Sequence, residues 1–397
     1  MKFKRLATLS LAATLAVVPV SGQAFASTQS DDANKIEVQQ KDVAKPQKGE
    51  VVVTMKPGKA LSDNAMKNMG AKVVDDHSDV VDTKLKVLEV GNVDAVLKAL
   101  NRNPNVEYAE PNYTFEATAT PNDPLYSNQY GPQNTSTPLA WETTIGSSSQ
   151  EIAVIDSGVD YDHPDLDDKT ILGYDFAQND YNPDDRNGHG THVAGTAAAE
   201  TDNATGVAGM APNTSILAVR ALGANGSGSL NDIADAIRYS ADSGAEVINL
   251  SLGCNCDTQT LEDAVDYAWN SGSVVVAAAG NDGVSTTFEP ASYENAIAVG
   301  AVDSNNNIAS FSNYGSWVDV TAPGVNIVST VLRGNYDSYS GTSMASPHVA
   351  GLAGLLASQG RSNTEIRTAI EQTADPIYGT GYYFEHGLIN SYDAVTY

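Results

Sequence analysis

Two kinds of hydrophobic pattern follow one another along the chain. Between residues 49 and 115, a short apolar run at 50–55 predicts a strand. Residues 93–100 carry apolar side chains at i, i+3, i+4 and i+7, which predicts an amphipathic helix. These elements indicate a small α+β unit.

From residue 151, short apolar runs alternate with segments of helical period, as at 231–243 and 261–270. The runs are Ile152–Ile155, Ile216–Val219, Val247–Leu252, Val274–Ala279 and Ala296–Val302. Continuous apolar runs of this length are typical of parallel strands that are buried on both faces. We therefore predict one α/β domain with a doubly wound, mostly parallel sheet and helices on both faces. In such folds the reactive groups lie at the carboxyl ends of the strands.

The first residues predict export. Basic residues at 2, 4 and 5 precede an apolar run at 6–20, and Ala24-Phe25-Ala26 gives an A-x-A cleavage signal. A membrane anchor is disfavoured because a run of ~15 residues is shorter than the ~20 needed to span a bilayer. We predict a signal peptide at 1–26, a propeptide at 27–117 and the main domain at 118–397. The Ala/Thr segment at 117–120 is a plausible exposed processing site.

The formal charge of −27 is unevenly distributed. Fifteen of the 22 basic and fifteen of the 49 acidic residues precede residue 118, which leaves seven basic and 34 acidic residues after it. Such a surface repels nucleic acid and anionic membranes, so neither is expected as a partner. Cation binding, tolerance of high salt and a merely solvated acidic surface all remain open.

Two cysteines, Cys254 and Cys256, are separated by one residue. In an exported chain they could form a disulfide, which would act as a local loop clip, or remain as two free thiols. Metal binding by the pair is disfavoured because zinc would need further ligands.

Three polar residues lie where chemistry is expected. Asp156 follows the apolar strand at 152–155, His189 stands in the glycine-rich segment 187–195, and Ser343 precedes a long apolar helix at 349–358. A serine hydroxyl becomes a good nucleophile when an imidazole takes its proton, and a carboxylate holds that imidazole in place. Spacing alone does not choose among His189, His192 and His348, and a serine before a helix is often only an N-cap.

The flanking sequences NGHGTHVAG and SGTSMASPH, in the chain order Asp, His, Ser, resemble those of the subtilisin family. The resemblance covers about residues 121–397 and is greatest to the thermitase branch. It implies a secreted serine endopeptidase of broad specificity that hydrolyses protein and peptide substrates through an acyl-enzyme. The mature enzyme would be a monomer. Asp156 would orient His189, the general base, and Ser343 would be the nucleophile. Residues 49–115 resemble the family's ferredoxin-like propeptide domain, which inhibits the enzyme and is removed by self-processing.

The resemblance also assigns an oxyanion hole and a substrate cleft. Asn281 would donate its amide to the oxyanion beside the backbone N–H of Ser343, although a turn residue is the simpler interpretation of Asn281. Substrate would be held as an added strand. The implied cleft residues are Gly226, Ser227, Gly228, Leu230, Ser251, Leu252, Gly253, Ala278, Gly280 and Phe288. Phe288 departs from the smaller or polar residue of common subtilisins at the base of the S1 pocket, so a shallower pocket is expected.

Calcium is the implied cofactor, at two or more structural sites. The resemblance gives a first site from Asp123, Asp165, Glu200, Asn203, Thr205 and Val207. It gives a second site from Asp175, Asp180, Asn182 and Asp184, where Gln178 replaces a carboxylate. Ordinary acidic loops are the alternative.

Four other functions are alternatives to peptide-bond hydrolysis by a serine nucleophile. A calcium-stabilised adhesin built on an inactive protease fold would lack a triad residue, and none is missing. An esterase or a peptide ligase would use the same acyl-enzyme, so only product analysis separates them from a peptidase. A metalloprotease is disfavoured because His189-x-x-His192 does not have the H-E-x-x-H arrangement of two metal ligands and a base.

Overall fold

The computed structural model describes residues 46–75, 85–113 and 120–397. They form two compact units, one from 46–75 and 85–113 and one from 120–397. The predicted signal peptide, the leader up to residue 45 and most of the predicted processing site lie outside the described residues. No helix within the described ranges has the length and apolar character needed to cross a membrane.

The first unit has the element order βαββαβ. Its elements are β1 (Pro46–Met55), α1 (Asp63–Met69), β2 (Lys72–Asp75), β3 (Leu85–Glu89), α2 (Val93–Leu100) and β4 (Val106–Tyr113). The strands pair antiparallel in the order β2-β3-β1-β4, which is the ferredoxin-like arrangement. Val96 and Leu100 of α2 pack against Val51, Val53 and Leu88 of the sheet. The predicted α+β unit is confirmed.

The second unit contains the larger sheet. Its strands are β5 (Glu151–Asp156), β6 (Thr170–Asp175), β7 (Ser215–Arg220), β8 (Val247–Leu250), β9 (Val274–Ala278), β10 (Ala296–Val302), β11 (Val320–Pro323), β12 (Ile327–Val331), β13 (Asn335–Tyr339) and β14 (Gly387–Leu388). Its helices are α3 (Tyr130–Asn134), α4 (Thr137–Ala140), α5 (His189–Ala198), α6 (Leu230–Asp242), α7 (Gln259–Asn270), α8 (Thr342–Ala357), α9 (Asn363–Gln372) and α10 (Ser391–Thr396). A short 3-10 helix spans Tyr126–Asn128.

Eight of these described strands form one parallel sheet in the order β14-β11-β10-β9-β8-β5-β7-β6. Alternate side chains of β5 enter different hydrophobic clusters. Ile152 and Val154 belong to the cluster that contains α5 and α8, whereas Ala153 and Ile155 belong to the cluster that contains α6 and α7. Because successive residues of a strand face opposite sides, the helices cover both faces, and the predicted α/β fold is confirmed.

Two element boundaries differ from the prediction in a way that affects chemistry. Strand β8 ends at Leu250, which leaves Ser251 and Leu252 in the loop that follows. Helix α8 begins at Thr342, seven residues earlier than predicted, so Ser343 lies in its first turn. Proline in a helix interior removes a backbone hydrogen bond and is therefore unusual there. Here Pro347 is accommodated inside it.

Candidate active site

Asp156 and His189 are in direct contact. Asp156 is the last residue of β5 and is fully buried, and His189 is the first residue of α5. His189 Nδ1 lies 2.8 Å from Asp156 Oδ1 and 3.0 Å from Oδ2. A side chain on Gly190 would overlap the carbonyl oxygen of Gly158 and lie 3.0 Å from Asp156 Cβ. Glycine at 190 therefore lets the helix start approach the strand end.

The loop before His189 is organised by a second buried carboxylate, that of Asp185. Its Oδ1 accepts from the Ser157 hydroxyl at 2.8 Å, Asn187 N at 2.8 Å and Gly188 N at 3.0 Å. Its Oδ2 accepts from Thr191 N at 3.0 Å and from the Thr191 hydroxyl at 2.6 Å. One side chain thus fixes the backbone on both sides of His189.

The ring of His189 differs from those of His192 and His348 in its electrostatics. Burial lowers the pKa of His189, but the carboxylates of Asp156 and Asp185 raise it, and the net direction is above the ordinary value of 6.5. Burial lowers the pKa of His192 and of His348 to about 4. His192 stacks on Tyr339 with ring centroids 4.4 Å apart, and His348 Nδ1 lies 2.8 Å from the Met344 carbonyl oxygen. Among the three, His189 carries the carboxylate partner.

Ser343 is held by the loop after β8. Pro347 has no N–H, so the carbonyl oxygen of Ser343, four residues earlier, lacks its helical donor. The Ser251 hydroxyl donates to that oxygen at 2.8 Å. Ser251 in turn accepts from Asn249 Nδ2 at 3.0 Å, and Asn249 Oδ1 accepts from the Ser346 hydroxyl at 2.8 Å. This chain of hydrogen bonds joins the first turns of α8 to the end of β8.

The hydroxyl of Ser343 donates to the Ser251 carbonyl oxygen at 3.2 Å. Among the hydrogen bonds of the described residues, none joins this hydroxyl to His189. Catalytic hydrogen bonds are often long or absent in substrate-free structures and form when substrate binds.

Asn281 lies beside the start of α8. Its Oδ1 accepts from Thr342 N at 2.8 Å and from the Thr342 hydroxyl at 3.0 Å, which leaves Nδ2 to donate elsewhere. A methyl group on Gly341 would lie 3.7 Å from Asn281 Nδ2 and 3.6 Å from Ser343 N. Asn281 Oδ1 lies 3.6 Å from the same point, so the structure brings the Asn281 amide and Ser343 N close together at the start of α8, where an oxyanion hole needs two donors.

A cavity of about 540 Å³ opens next to His189. The sequence-predicted residues that line it are Gly226, Ser227, Gly228, Leu230, Ser251, Leu252 and Gly253. Leu222, Ile233 and Leu261 add apolar surface that the sequence analysis missed. Leu222 lies just past the carboxyl end of β7, a position that the strand-end rule indicates for functional residues. Ala278, Gly280 and Phe288 lie outside this lining.

The two cysteines form a disulfide at the edge of the cavity. Cys254 exchanges two backbone hydrogen bonds with Glu289, of 2.8 and 2.9 Å. The buried carboxylate of Glu289 also accepts from Cys256 N at 3.1 Å and from the Ser292 hydroxyl at 3.0 Å. Glu289 therefore anchors the disulfide loop to the cavity wall.

The acidic residues predicted for a first calcium site converge on the loop 200–207. Asp123 Oδ2 accepts from Asp202 N at 2.9 Å, whereas its buried Oδ1 has no hydrogen-bond partner. Asp165 is fully buried and accepts from Asn203 Nδ2 and from Val207 N, each at 2.9 Å. Burial raises the pKa of Asp123. An orphaned, buried carboxylate oxygen is a position that a cation would satisfy.

The second predicted calcium site has a different arrangement. Asp175 Oδ2 is paired with Arg220 Nη1 at 2.8 Å, and both side chains are buried. Asp175 Oδ1 accepts from Gln178 N at 2.9 Å. Asn182 Oδ1 accepts from the Tyr161 hydroxyl at 2.9 Å. Arg220 therefore already offsets the charge of Asp175, which would reduce the contribution of this carboxylate to a cation site.

No group of three or more histidine, cysteine or acidic side chains in the described ranges is placed to hold a metal ion. A calcium site at Asp123 and Asp165 would depend instead on amide and backbone oxygens, which calcium also accepts.

Comparison with known proteins bears on this arrangement. The family model described as the subtilase family (peptidase S8) matches residues 147–392, and that of the fervidolysin N-terminal prodomain matches residues 32–112. A thermophilic serine proteinase of Bacillus sp. (strain AK1) is 65% identical over 403 residues, covering 100% of both chains. Thermitase of Thermoactinomyces vulgaris is 57% identical over 279 residues, covering 70% of this chain and 100% of thermitase.

A solved structure is also similar. It belongs to the proteases of Pseudoalteromonas arctica PAMC 21717, with a TM-score of 0.65 and 33% sequence identity. The match covers 70% of this chain and 99% of that one.

Proposed function

The chain belongs to the subtilase family of serine peptidases, and we propose that Asp156, His189 and Ser343 form its catalytic triad. The contact between His189 Nδ1 and Asp156, at 2.8 Å, is the observation that carries this proposal. It orients the ring so that Nε2 is left to act on the serine hydroxyl. The chain is accordingly a serine endopeptidase with a prodomain.

In the proposed reaction, rotation of Ser343 breaks its hydrogen bond to Ser251 and brings Oγ to the imidazole. His189 takes the hydroxyl proton as Oγ attacks the substrate carbonyl carbon, and Asp156 stabilises the resulting imidazolium. Asn281 Nδ2 and Ser343 N donate to the oxygen as it gains negative charge. The protonated ring then gives its proton to the leaving amine, and water releases the acyl group by the same steps.

The cavity beside His189 supports the binding of extended peptide. Gly226–Gly228 and Ser251–Gly253 line it, together with the apolar residues Leu222, Leu230 and Ile233. An extended substrate would gain main-chain hydrogen bonds from the two segments. Contacts of this kind are independent of substrate sequence, which supports broad specificity.

We extend the proposal to calcium at the first site alone. Asp123 and Asp165 would supply carboxylate oxygens, Asn203 an amide oxygen, and Glu200, Thr205 and Val207 backbone oxygens. Bound calcium would stabilise this loop cluster and would take no part in the reaction. The second site stays a prediction for Asp175, Asp180, Asn182 and Asp184, and the pairing of Asp175 with Arg220 argues for weaker binding there.

Export, maturation and partners complete the proposal. A relative from Natrialba magadii, 44% identical over 280 residues, is named as an extracellular serine protease, which supports a signal peptide at 1–26. The prodomain match supports a propeptide that inhibits the enzyme until self-processing near residue 117. The mature enzyme would act as a monomer on proteins and peptides, without nucleic acid or membrane partners.

The test is expression of the full chain and of its Ser343→Ala variant. The wild type should mature and hydrolyse casein, and a serine-directed covalent inhibitor should abolish this hydrolysis. The variant should stay an uncleaved precursor. Normal maturation of the purified variant by itself would contradict self-processing, and casein hydrolysis by it would contradict the assignment of Ser343.

A further inference from the structure

The loop after β9, which carries Asn281, is held by a second asparagine. Asn313 lies in the connection between β10 and β11 and is fully buried. Its Nδ2 donates to the Ala279 carbonyl oxygen at 2.9 Å. Its Oδ1 accepts from Asp282 N at 3.0 Å and from Val284 N at 3.3 Å. One side chain therefore bonds the backbone on both sides of Asn281.

The backbones of the two segments are also joined. Asn313 N donates to the Gly280 carbonyl oxygen at 3.0 Å, and Gly283 N donates to the Phe311 carbonyl oxygen at 2.8 Å. A methyl group on Gly280 would lie 2.5 Å from Asn313 Nδ2, which is too close for atoms that are not bonded. The Asn313 amide thus passes directly against the backbone that precedes Asn281.

The supporting segment is itself fixed to a central strand. The buried hydroxyl of Ser312 accepts from Ala301 N of β10 at 3.0 Å and donates to the Asn313 carbonyl oxygen at 3.0 Å. A residue that is bonded to the sheet in this way can transmit the position of the sheet to the loop that it holds. The loop of Asn281 is therefore attached to β10 through Asn313.

The side chain of Asn281 is held at one end only. Thr342 occupies its Oδ1, as described above, and no hydrogen bond among the described residues engages its Nδ2. Where Nδ2 points is then set by Thr342 and by the position of the loop backbone. Asn313 controls that position and leaves Nδ2 available for substrate.

We propose that Asn313 is a positioning residue for the hydrolytic reaction, because it holds Asn281 Nδ2 where the substrate oxygen gains negative charge. This inference rests on the proposed function. A donor that is fixed in advance needs no reorganisation during the reaction, whereas a displacement of about 1 Å can cost on the order of a hundredfold in rate. The charge on the oxygen develops only in the transition state, so the effect belongs in kcat and not in KM.

An asparagine is suited to this place because its partners need both a donor and an acceptor. The Ala279 carbonyl oxygen requires an N–H or O–H, and the two backbone N–H groups require an oxygen. Asn313→Leu has a similar volume but supplies neither. Asn313→Ser keeps one hydroxyl and leaves room for water, so it should fold and bond some of the partners.

The test measures kcat and KM of the matured variants with one peptide substrate. In Asn313→Leu, kcat should fall on the order of tenfold or more with little change in KM. Asn313→Ser should show a smaller loss and guards against misfolding of the leucine variant. Asn305→Ser changes an exposed asparagine of the same connection and should behave as the wild type.

A double-mutant cycle separates positioning from a merely structural role. Asn281→Ala alone should lower kcat by about 10²–10³-fold. In the Asn281→Ala background, Asn313→Leu should have little further effect on kcat, because the donor that it displaces is already gone. A loss of kcat as large as in the wild-type background would overturn the positioning role, and so would wild-type kcat in both Asn313 variants.

Failure of the proposed function would be recognised separately. If the matured wild type hydrolyses no peptide, that function fails, and hydrogen–deuterium exchange then decides the contact. Faster exchange of the segment 280–284 in Asn313→Leu or Asn313→Ser, with unchanged exchange of β9 and α8, supports the anchoring by Asn313. Exchange of this segment at the wild-type rate in both variants refutes it.

Discussion

Asp185 offers a sharp test of how the His189 loop is built. The change Asp185→Asn keeps the shape of the side chain but replaces one acceptor oxygen with an NH₂ group and removes the charge. With the amide oxygen at Oδ1, the NH₂ group faces Thr191 N, which loses its acceptor. The Thr191 hydroxyl can turn and accept, but the backbone N–H cannot.

The magnitude follows from the hydrogen bonds. A buried N–H left without an acceptor costs about 1–3 kcal/mol, and the remaining bonds lose the strengthening that the charge gives them. We expect a loss of about 2–4 kcal/mol in the free energy of unfolding. If the bonds are broken in the unfolding transition state, even about 2 kcal/mol shortens the half-life of thermal inactivation roughly thirtyfold.

The same change can also be tested by the pH dependence of activity. Activity requires neutral His189, whose pKa is raised above 6.5, with Asp185 among the groups that raise it. In the wild type, activity should therefore rise with a midpoint above pH 6.5. Without the Asp185 charge the imidazolium loses stabilisation, its pKa falls, and the rise should move to lower pH.

The assay measures inactivation half-life and the pH dependence of kcat/KM on the matured proteins. Asp162→Asn removes one exposed negative charge from the segment between β5 and β6 and serves as the control. It should leave the half-life near that of the wild type. An Asp185→Asn enzyme with the half-life and pH midpoint of the control would refute the role given to this carboxylate.

Three further perturbations have definite outcomes. Ser251→Ala leaves the Ser343 carbonyl oxygen without its donor and should lower kcat/KM about tenfold, and unchanged kinetics would contradict this positioning role. Arg220→Met leaves buried Asp175 unpaired and should lower the free energy of unfolding by about 3–5 kcal/mol. The double variant Arg220→Met/Asp175→Leu should largely recover this loss, and a single variant as stable as the wild type would refute the pairing. A calcium chelator should shorten the inactivation half-life of the wild type and have less effect on Asp123→Asn, and equal effects would contradict the first calcium site.

The sequence analysis located five strands of the large sheet because their apolar runs are almost unbroken, with Asn249 in β8 as the exception within the strands themselves. In the second unit it missed β6, where apolar Ile171 and Leu172 are exposed at the sheet edge, and β14, which has two residues. It also missed the paired strands β12 and β13, and β11, whose four residues are buried but include a threonine and end in a proline. An edge strand lacks the continuous burial that makes a central strand recognisable. The start of α8 was also misplaced, because the continuous apolar run that predicted the helix begins at Val349, whereas the helix already includes Ser343, Ser346 and Pro347.

Site residues divided in a similar way. Asp156, His189 and Ser343 could be nominated from motifs, since each stands at the end of a recognisable strand or helix. Asp185 and Asn249 could not be nominated from motifs. Their roles consist of hydrogen bonds to residues that only the folded chain brings to them, such as Ser157 for Asp185 and Ser346 for Asn249. Arg220 shows the converse: Asp175 looked like a calcium ligand in the sequence, and only folding revealed the cation that strand β7 brings to it.

The positioning of the site depends on residues that have no reactive groups. Gly190 lets α5 approach Asp156, Pro347 frees the Ser343 carbonyl oxygen for Ser251, and Gly253 and Gly280 leave space for the ring of Phe288. Each acts through what it lacks, a side chain or an N–H. Substitutions at these positions should therefore disturb geometry before chemistry. Gly190→Ala would place a methyl group against the Gly158 carbonyl oxygen and 3.0 Å from Asp156 Cβ, and should force His189 away from Asp156.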